Sequence, residues 1–216
     1  CHTPAVRDPE EAAIRCPNPD CPAQLMKRMI HFVSKDAMNI DGLGPQNLAA
    51  LQENGLVHSV ADLYSLTKKE LTELENTVRF DSFDFNDAYA LGSALRAAGE
   101  KAPKPIAVRI VLDGMILYQS FLPGTDATNN NWMDKKQRTV QLTGTTSLRA
   151  AVERELYGAK APWQHDEEHY AFCGGGFPLY VNGEFRGAAI ISGLPHLKDH
   201  ALLCETVKAY WESKKK

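Results

Sequence analysis

The sequence predicts an α+β fold, an antiparallel sheet flanked by helices, preceded by a small cysteine-bearing and helical N-terminal segment. Three observations carry this. Two stretches of alternating apolar residues are each broken once by a two-residue turn, Asp113-Gly114 and Asn182-Gly183, a strong short-range hairpin signal. Helix-period segments precede, separate and follow these hairpins, giving the order α-β-β-α-α-β-β-α, and hairpins with helices between them build an antiparallel sheet. Three of the five cysteines, Cys1, Cys16 and Cys21, fall where Pro and turn residues replace any apolar period.

Residues 1–24 are too short to bury a core and need a staple. The loop from Cys16 to Cys21 offers two thiolates and Cys1 a third. Structural zinc takes four ligands, and His2, adjacent to Cys1, is poorly placed to ligate the same ion. The expectation is a partial zinc site of Cys1, Cys16 and Cys21, against free thiols in a loose turn. Residues 25–75 read as helical, with Leu25, Met29, Phe32 and Val33 at helical spacing. A bend follows at Asn39-Ile40-Asp41-Gly42-Leu43-Gly44-Pro45, then Leu48, Leu51 and Leu56, then Val60 to Tyr64. Thr67 with Glu70 three residues on reads as a capping box opening a further helix. The Gly-Leu-Gly bend is either a helix–hairpin–helix, whose backbone N–H groups can accept a phosphate, or a plain αα-corner.

In residues 76–216, Asp81-Ser82-Phe83-Asp84 marks a turn and helix N-cap. An Ala- and Leu-rich helix over Phe85–Ala98 follows, with Ala88, Leu91 and Leu95 on one face. Ile106, Val108, Ile110 and Leu112 alternate as a half-buried strand, and Met115–Phe121 returns after the turn. Residues 124–131 read as a polar loop. Helical patterns come next around Trp132–Leu142 and Ser147–Tyr157, then a loop over Pro162–His169. Phe172–Val181 and Glu184–Ser192 form the second hairpin, and Leu197–Glu212 the closing helix.

Composition narrows the function. Of 216 residues, 44% are hydrophobic and 24% charged, an ordinary globular balance that excludes wholesale disorder. No apolar run approaches the ~20 residues of a membrane span, so no membrane partner is expected. The first 75 residues carry 7 Lys and Arg against 11 Asp and Glu, the remainder 17 against 16. Neither part is a strongly basic nucleic-acid binder, and any DNA contact would rest on local backbone chemistry. An odd number of cysteines without a basic-then-apolar leader points to a reducing, cytoplasmic setting.

Two family resemblances add to this. Arg15-Cys16-Pro17-Asn18-Pro19-Asp20-Cys21-Pro22-Ala23-Gln24 and His31-Phe32-Val33-Ser34-Lys35-Asp36-Ala37-Met38-Asn39-Ile40-Asp41-Gly42-Leu43-Gly44 closely resemble bacterial NAD-dependent DNA ligase. The match covers its four-cysteine zinc finger and the start of its helix–hairpin–helix region. Asn54-Gly55-Leu56-Val57 and Ala61-Asp62-Leu63-Tyr64 continue it to about residue 75. Family fingers begin Cys-x-x-Cys, and Cys1 matches the second of these, so the resemblance implies three of four ligands. No Lys-x-Asp-Gly nucleophile motif occurs, so ligation by this chain alone is not expected. A DNA-binding accessory fragment is one reading that follows.

Lys104-Pro105-Ile106-Ala107-Val108, Trp132-Met133-Asp134-Lys135-Lys136, Gly174-Gly175-Gly176-Phe177-Pro178-Leu179 and Ser192-Gly193-Leu194-Pro195-His196-Leu197-Lys198-Asp199-His200 stand in the order of the UPF0303 family. That family sits within the haem-degrading-domain superfamily of GlcG- and HbpS-like proteins. This resemblance implies a profilin- or PAS-like sheet, a symmetric homo-oligomer, and haem or a related cofactor as ligand. Where relatives carry Gly-His-Ser-Ser after the central helix, this chain has Gly144-Thr145-Thr146-Ser147, which removes a candidate polar histidine. A purely structural oligomer module is the bland alternative.

The expected pocket draws on Trp132, Lys136, Gly175, Gly176, Phe177 and His200. Two glycines give a small anionic or planar ligand access to backbone N–H groups. Trp132 and Phe177 supply flat surface, and Lys136 compensating charge as an exposed lysine whose loss leaves stability nearly untouched. Each feature has a structural counterpart: a glycine bulge, a solvated basic face over Lys135, Lys136 and Arg138, and first-turn helix positions for His196 and His200, which otherwise share one face at i, i+4. Cys173 and Cys204 read as buried small hydrophobes.

Overall fold

The computed structural model describes residues 1–7, 14–19, 21–34, 44–53 and 59–215. The chain divides into two compact units, Cys1–Leu66 and Thr67–Lys216. In the first, strands β1 (Val6–Arg7) and β2 (Ile14–Arg15) pair antiparallel, and helices α1 (Pro22–Val33) and α2 (Pro45–Glu53) follow. Pro22 opens α1, where its missing N–H costs nothing. Ser34 ends the helix by donating its backbone N–H and hydroxyl to the His31 carbonyl. Met29 and Val33 of α1 meet Leu48 of α2 in a small core. The bend at residues 39–43 lies outside the described residues.

Helix α3 runs unbroken over Val60–Thr77, so Thr67 does not open a helix. The box sits earlier: the Ser59 N–H donates to Asp62 Oδ2 at 2.9 Å and the Asp62 N–H to Ser59 Oγ at 3.4 Å. A helix nucleated there continues through the good helix formers after Thr67. Its last turns belong to the second unit, where Leu71 and Val78 are buried. Glu75, 3% exposed, accepts the Thr146 N–H and an Arg149 N–H, both at 2.8 Å.

The second unit holds α4 (Phe85–Gly99), β3 (Ala107–Leu112), β4 (Met115–Phe121), α5 (Ala127–Thr143), α6 (Ser147–Tyr157), β5 (Gly176–Val181), β6 (Glu184–Ser192) and α7 (His196–Ser213). The strands form one antiparallel sheet in the order β4-β3-β6-β5. Both turns carry the left-handed backbone that a two-residue hairpin requires, with φ 49° and 79° at Asp113-Gly114 and 50° and 82° at Asn182-Gly183. On one face Val108, Ile110, Phe177, Leu179 and Ile191 pack with Leu91 and Leu95 of α4 and Leu203 and Val207 of α7. On the other, Ala107, Ala188 and Ile190 pack with Met133 and Val140 of α5.

This layering overturns one expectation: β3 is buried at all six positions, because helices cover both faces of a central strand. A second correction concerns α5. Its first turn and a half lie in the stretch expected to be a loop, because Asp126 and Asn129 form a capping box within that polar run. Trp132 and Lys136 therefore sit inside the helix instead of opening it. β5 begins at Gly176, not Phe172.

Candidate functional site

The site grows from a buried charge pair. Lys136 of α5 is 3% exposed, and its Nζ donates to the Ile191 carbonyl at 2.9 Å and to Asp199 Oδ2 at 2.8 Å. Asp199 lies in the first turn of α7. The two helices flank opposite faces of the sheet, so the pair meets around the segment just ahead of β5, and Gly175 there leaves the room for it. Gly175 has φ +111°, and a Cβ on it would stand 2.5 Å from Lys136 Nζ and 2.7 Å from the Ile191 carbonyl. The other Asp199 oxygen accepts the Leu194 N–H at 3.0 Å, fixing the loop from Gly193 to Pro195. Burial raises the Asp199 carboxyl pKa, and Lys136 opposes that rise.

Beside the pair opens a cleft of about 550 Å³, within the range of small-molecule sites. α5 contributes Asn129, Trp132 and Lys136; the end of β6 and the following loop contribute Ser192, Gly193 and Leu194. Cys173, His196 and Asp199 complete much of the wall. Trp132 is 42% exposed, with the Lys135 ammonium over its ring at 5.2 Å from the centroid. Burial, and then Lys136, lower the pKa of His196, so the imidazole is neutral at neutral pH. Its Nδ1 lies 3.5 Å from the Gly174 nitrogen, a contact that favours the tautomer with the ring proton on Nε2. Burial raises the Cys173 thiol, which therefore stays protonated.

Of the six residues expected in the pocket, Trp132 and Lys136 line the cleft. Lys136 is not the exposed cation of the sequence reading: it is buried and ion-paired, so its loss cannot leave stability untouched. Gly175 forms the notch behind the pair. Gly176 spends its N–H on Ser147 Oγ at 3.0 Å, leaving no donor for a ligand. Phe177, 1% exposed, packs in the core on the α4 and α7 face, because strand alternation turns it away from α5. His200 turns toward Cys204, with Nε2 3.4 Å from Sγ. Burial, and then His196, push its pKa down to about 4. Burial pushes the Cys204 thiol up, so the pair is a neutral imidazole beside a thiol and not an activated nucleophile. His196 and Ser192 take the places expected of His200 and Phe177. Period-two alternation from Ala188 and Ile190 puts Ser192 on the α5 face, a signal present in the sequence.

In the first unit the sulfurs of Cys1, Cys16 and Cys21 lie within 4.8 Å of one another, with Cys1 and Cys16 at 3.5 Å. The Gln24 N–H at the start of α1, more than any other contact, lowers the Cys21 thiol pKa and favours the ligating thiolate. The three sulfurs thus fit a metal ion that takes thiolates. Among the described residues no other group of three or more such side chains gathers.

A four-stranded antiparallel sheet between helices, with a cleft at the start of its last helix, defines the class: an α+β domain with a helix layer on each face of the sheet. The haem degrading protein HbpS-like family matches residues 83–208, more than half of the chain, and the chain belongs to it. The NAD-dependent DNA ligase C4 zinc finger domain matches residues 1–23. The DNA ligase of Halalkalibacterium halodurans is 41% identical over 119 residues, covering 50% of this chain and 18% of that protein. That of Synechococcus sp. is 53% identical over 75 residues, 35% of this chain and 11% of that protein. The chain thus spans less than a fifth of these relatives' length. Among solved structures, Ybr137w superimposes with a TM-score of 0.62 at 27% identity, covering 69% of this chain and 90% of that one. A PduOC:heme complex (TM-score 0.50, 23% identity, 60% and 94% covered) and HbpS (0.50, 19%, 59% and 88%) share the fold.

Proposed function

We infer that residues 76–216 act as a small-molecule-binding domain whose ligand, flat and acidic like haem, lies in the cleft beside α5. The observation that carries this is a single cleft lined by the half-exposed Trp132 and a neutral His196 beside a charge pair that is already internally balanced. The family's name and a structural relative crystallised with haem point to the same ligand class. The residues present suit a flat ring and acidic side groups, with Trp132 and Leu194 as apolar surface. The Gly174 contact disfavours an iron–imidazole bond at His196, because ligation through Nε2 would move the ring proton to Nδ1 and set it against that N–H. Bound haem would supply redox chemistry; the chain's own part is to hold it and exclude water. Titration of the full chain with haem and with iron-free protoporphyrin, followed by absorbance, tests the reading. Comparable affinities, both weakened about tenfold or more by Trp132→Ala, are expected. Absence of binding by either, or loss only with His196→Ala and only for the iron form, would overturn it.

A second reading concerns the first unit alone. The three gathered sulfurs and the zinc finger match favour zinc, and through it a local contact with DNA in a cytoplasmic setting. Zinc retention after dialysis, lost in Cys16→Ser, and DNA retention falling steeply with added salt would support it; DNA binding indifferent to Cys16→Ser would count against it.

A further inference from the structure

The cleft contains a buried polar group that the fold itself does not employ. Ser192, the last residue of β6, is 4% exposed and lines the cleft, yet its hydroxyl has no hydrogen-bond partner among the described residues. The register sets Ser192 opposite Ala107, a residue of the α5-side core, so the hydroxyl faces the space between α5 and the Gly193–Pro195 loop. The polar groups around it are committed. The Asn129 amide donates to the Ser192 carbonyl at 3.2 Å. Asp199 is held by Lys136 and the Leu194 N–H. The carboxylate of Asp126, at the exposed rim, accepts the Thr128 N–H at the start of α5.

Two further donors remain. His196 presents Nε2–H, and Lys136 uses two of the three N–H bonds of its ammonium. The cleft therefore offers hydroxyl and N–H donors to an incoming oxyanion, while the Asp126 carboxylate that also lines it stands at the solvent-exposed rim.

We propose that Ser192 and His196 form a carboxylate-reading subsite over the Lys136–Asp199 pair, so that the cleft selects ligands carrying a free acid. This rests on the reading that a flat small molecule occupies the cleft, and adds which end of it is recognised. Ser192 donates its hydroxyl to one carboxylate oxygen and His196 its Nε2–H to the other, while the flat body lies against Trp132.

The test compares haem with haem dimethyl ester, identical in ring and iron but without free carboxylates, on the full chain and on Ser192→Ala. The ester is expected to bind at least tenfold more weakly than haem. Ser192→Ala should weaken haem about fivefold and leave the ester unchanged, a pattern that a general disturbance of the cleft cannot produce. Equal binding of acid and ester, or equal weakening of both by Ser192→Ala, overturns the subsite while leaving the occupied cleft intact. Failure of both porphyrins to bind the unaltered chain removes the cleft reading and the subsite together.

Discussion

Lys136 shows how burial reverses the meaning of a residue. On a solvated helix face a lysine is nearly neutral to folding. Here its ammonium and the Asp199 carboxylate are withdrawn from water together, and each is tolerable only because of the other. Lys136→Ala leaves an uncompensated buried carboxylate, so a loss of about 3–5 kcal/mol is expected, read from urea unfolding midpoints; a change below about 1 kcal/mol would contradict the buried pair. His200 behaves in the opposite sense to a paired histidine. Its folded pKa, about 4, lies below the unfolded value near 6.5, so the native state binds fewer protons than the unfolded chain between these limits. Stability is therefore full above about pH 6.5 and is lost as the pH falls toward 4. His196 adds to the same trend. His200→Gln should flatten this acid dependence, measured by unfolding at pH 7, 5.5 and 4.5; an unchanged slope would place the titration elsewhere.

At the level of elements, the run from Gly174 to Gly176 joins packing to function. A side chain at Gly175 would occupy the position of the Lys136 ammonium and also face a left-handed φ. Gly175→Ala is expected to cost about 1–3 kcal/mol and to disturb the Gly193–Pro195 loop through Asp199. Chemical shifts of that loop, compared with those of an Ala at the solvent-facing Gly114, provide the check. The elements also show which local signals were readable. The hairpin turns, the Asp84 cap and the bounds of α6 and β6 follow from short-range chemistry, because turn and cap residues act on their own backbone. The start of α5 and the burial of β3 were not readable that way. Asp126 and Asn129 look like loop residues until the helix behind them is known, and the second buried face of β3 exists only because α5 lies across it. Similarly, the cleft's Trp132 was legible as an exposed aromatic among cations, whereas Ser192 and His196 come to line the cleft only because α5 and α7 approach across the sheet end.

Across the molecule, two compact units carry two kinds of adhesive. Among the described residues the first has a small core of Met29, Val33 and Leu48 and gathers three thiols; the second has a two-faced hydrophobic core. Chelation is therefore expected to lower the unfolding transition of the first unit and leave that of the second unchanged, as followed by calorimetry with and without EDTA. A single transition shifting as a whole would refute this. The sheet also has an open edge. β4 is terminal in the strand order, and its Met115, Ile116 and Phe121 are each more than 40% exposed, an edge that natural sheets cover or pair. Closed homo-oligomers are the expected outcome, and light scattering at tens of micromolar chain should report a multiple of 23.9 kDa; a monomer would contradict it.

The sequence by itself determined the order of the elements, the two hairpins with their turns, and the cysteine cluster at one end. Each depends on residues close together in the chain, whose periodicity and backbone preferences act locally. Only the tertiary structure decided that Lys136 is buried against Asp199, that Phe177 belongs to the core, and that His196 replaces His200 at the cleft. These depend on which face of a strand meets which helix, and on Gly175, whose missing side chain leaves room for charges from opposite sides of the sheet to meet.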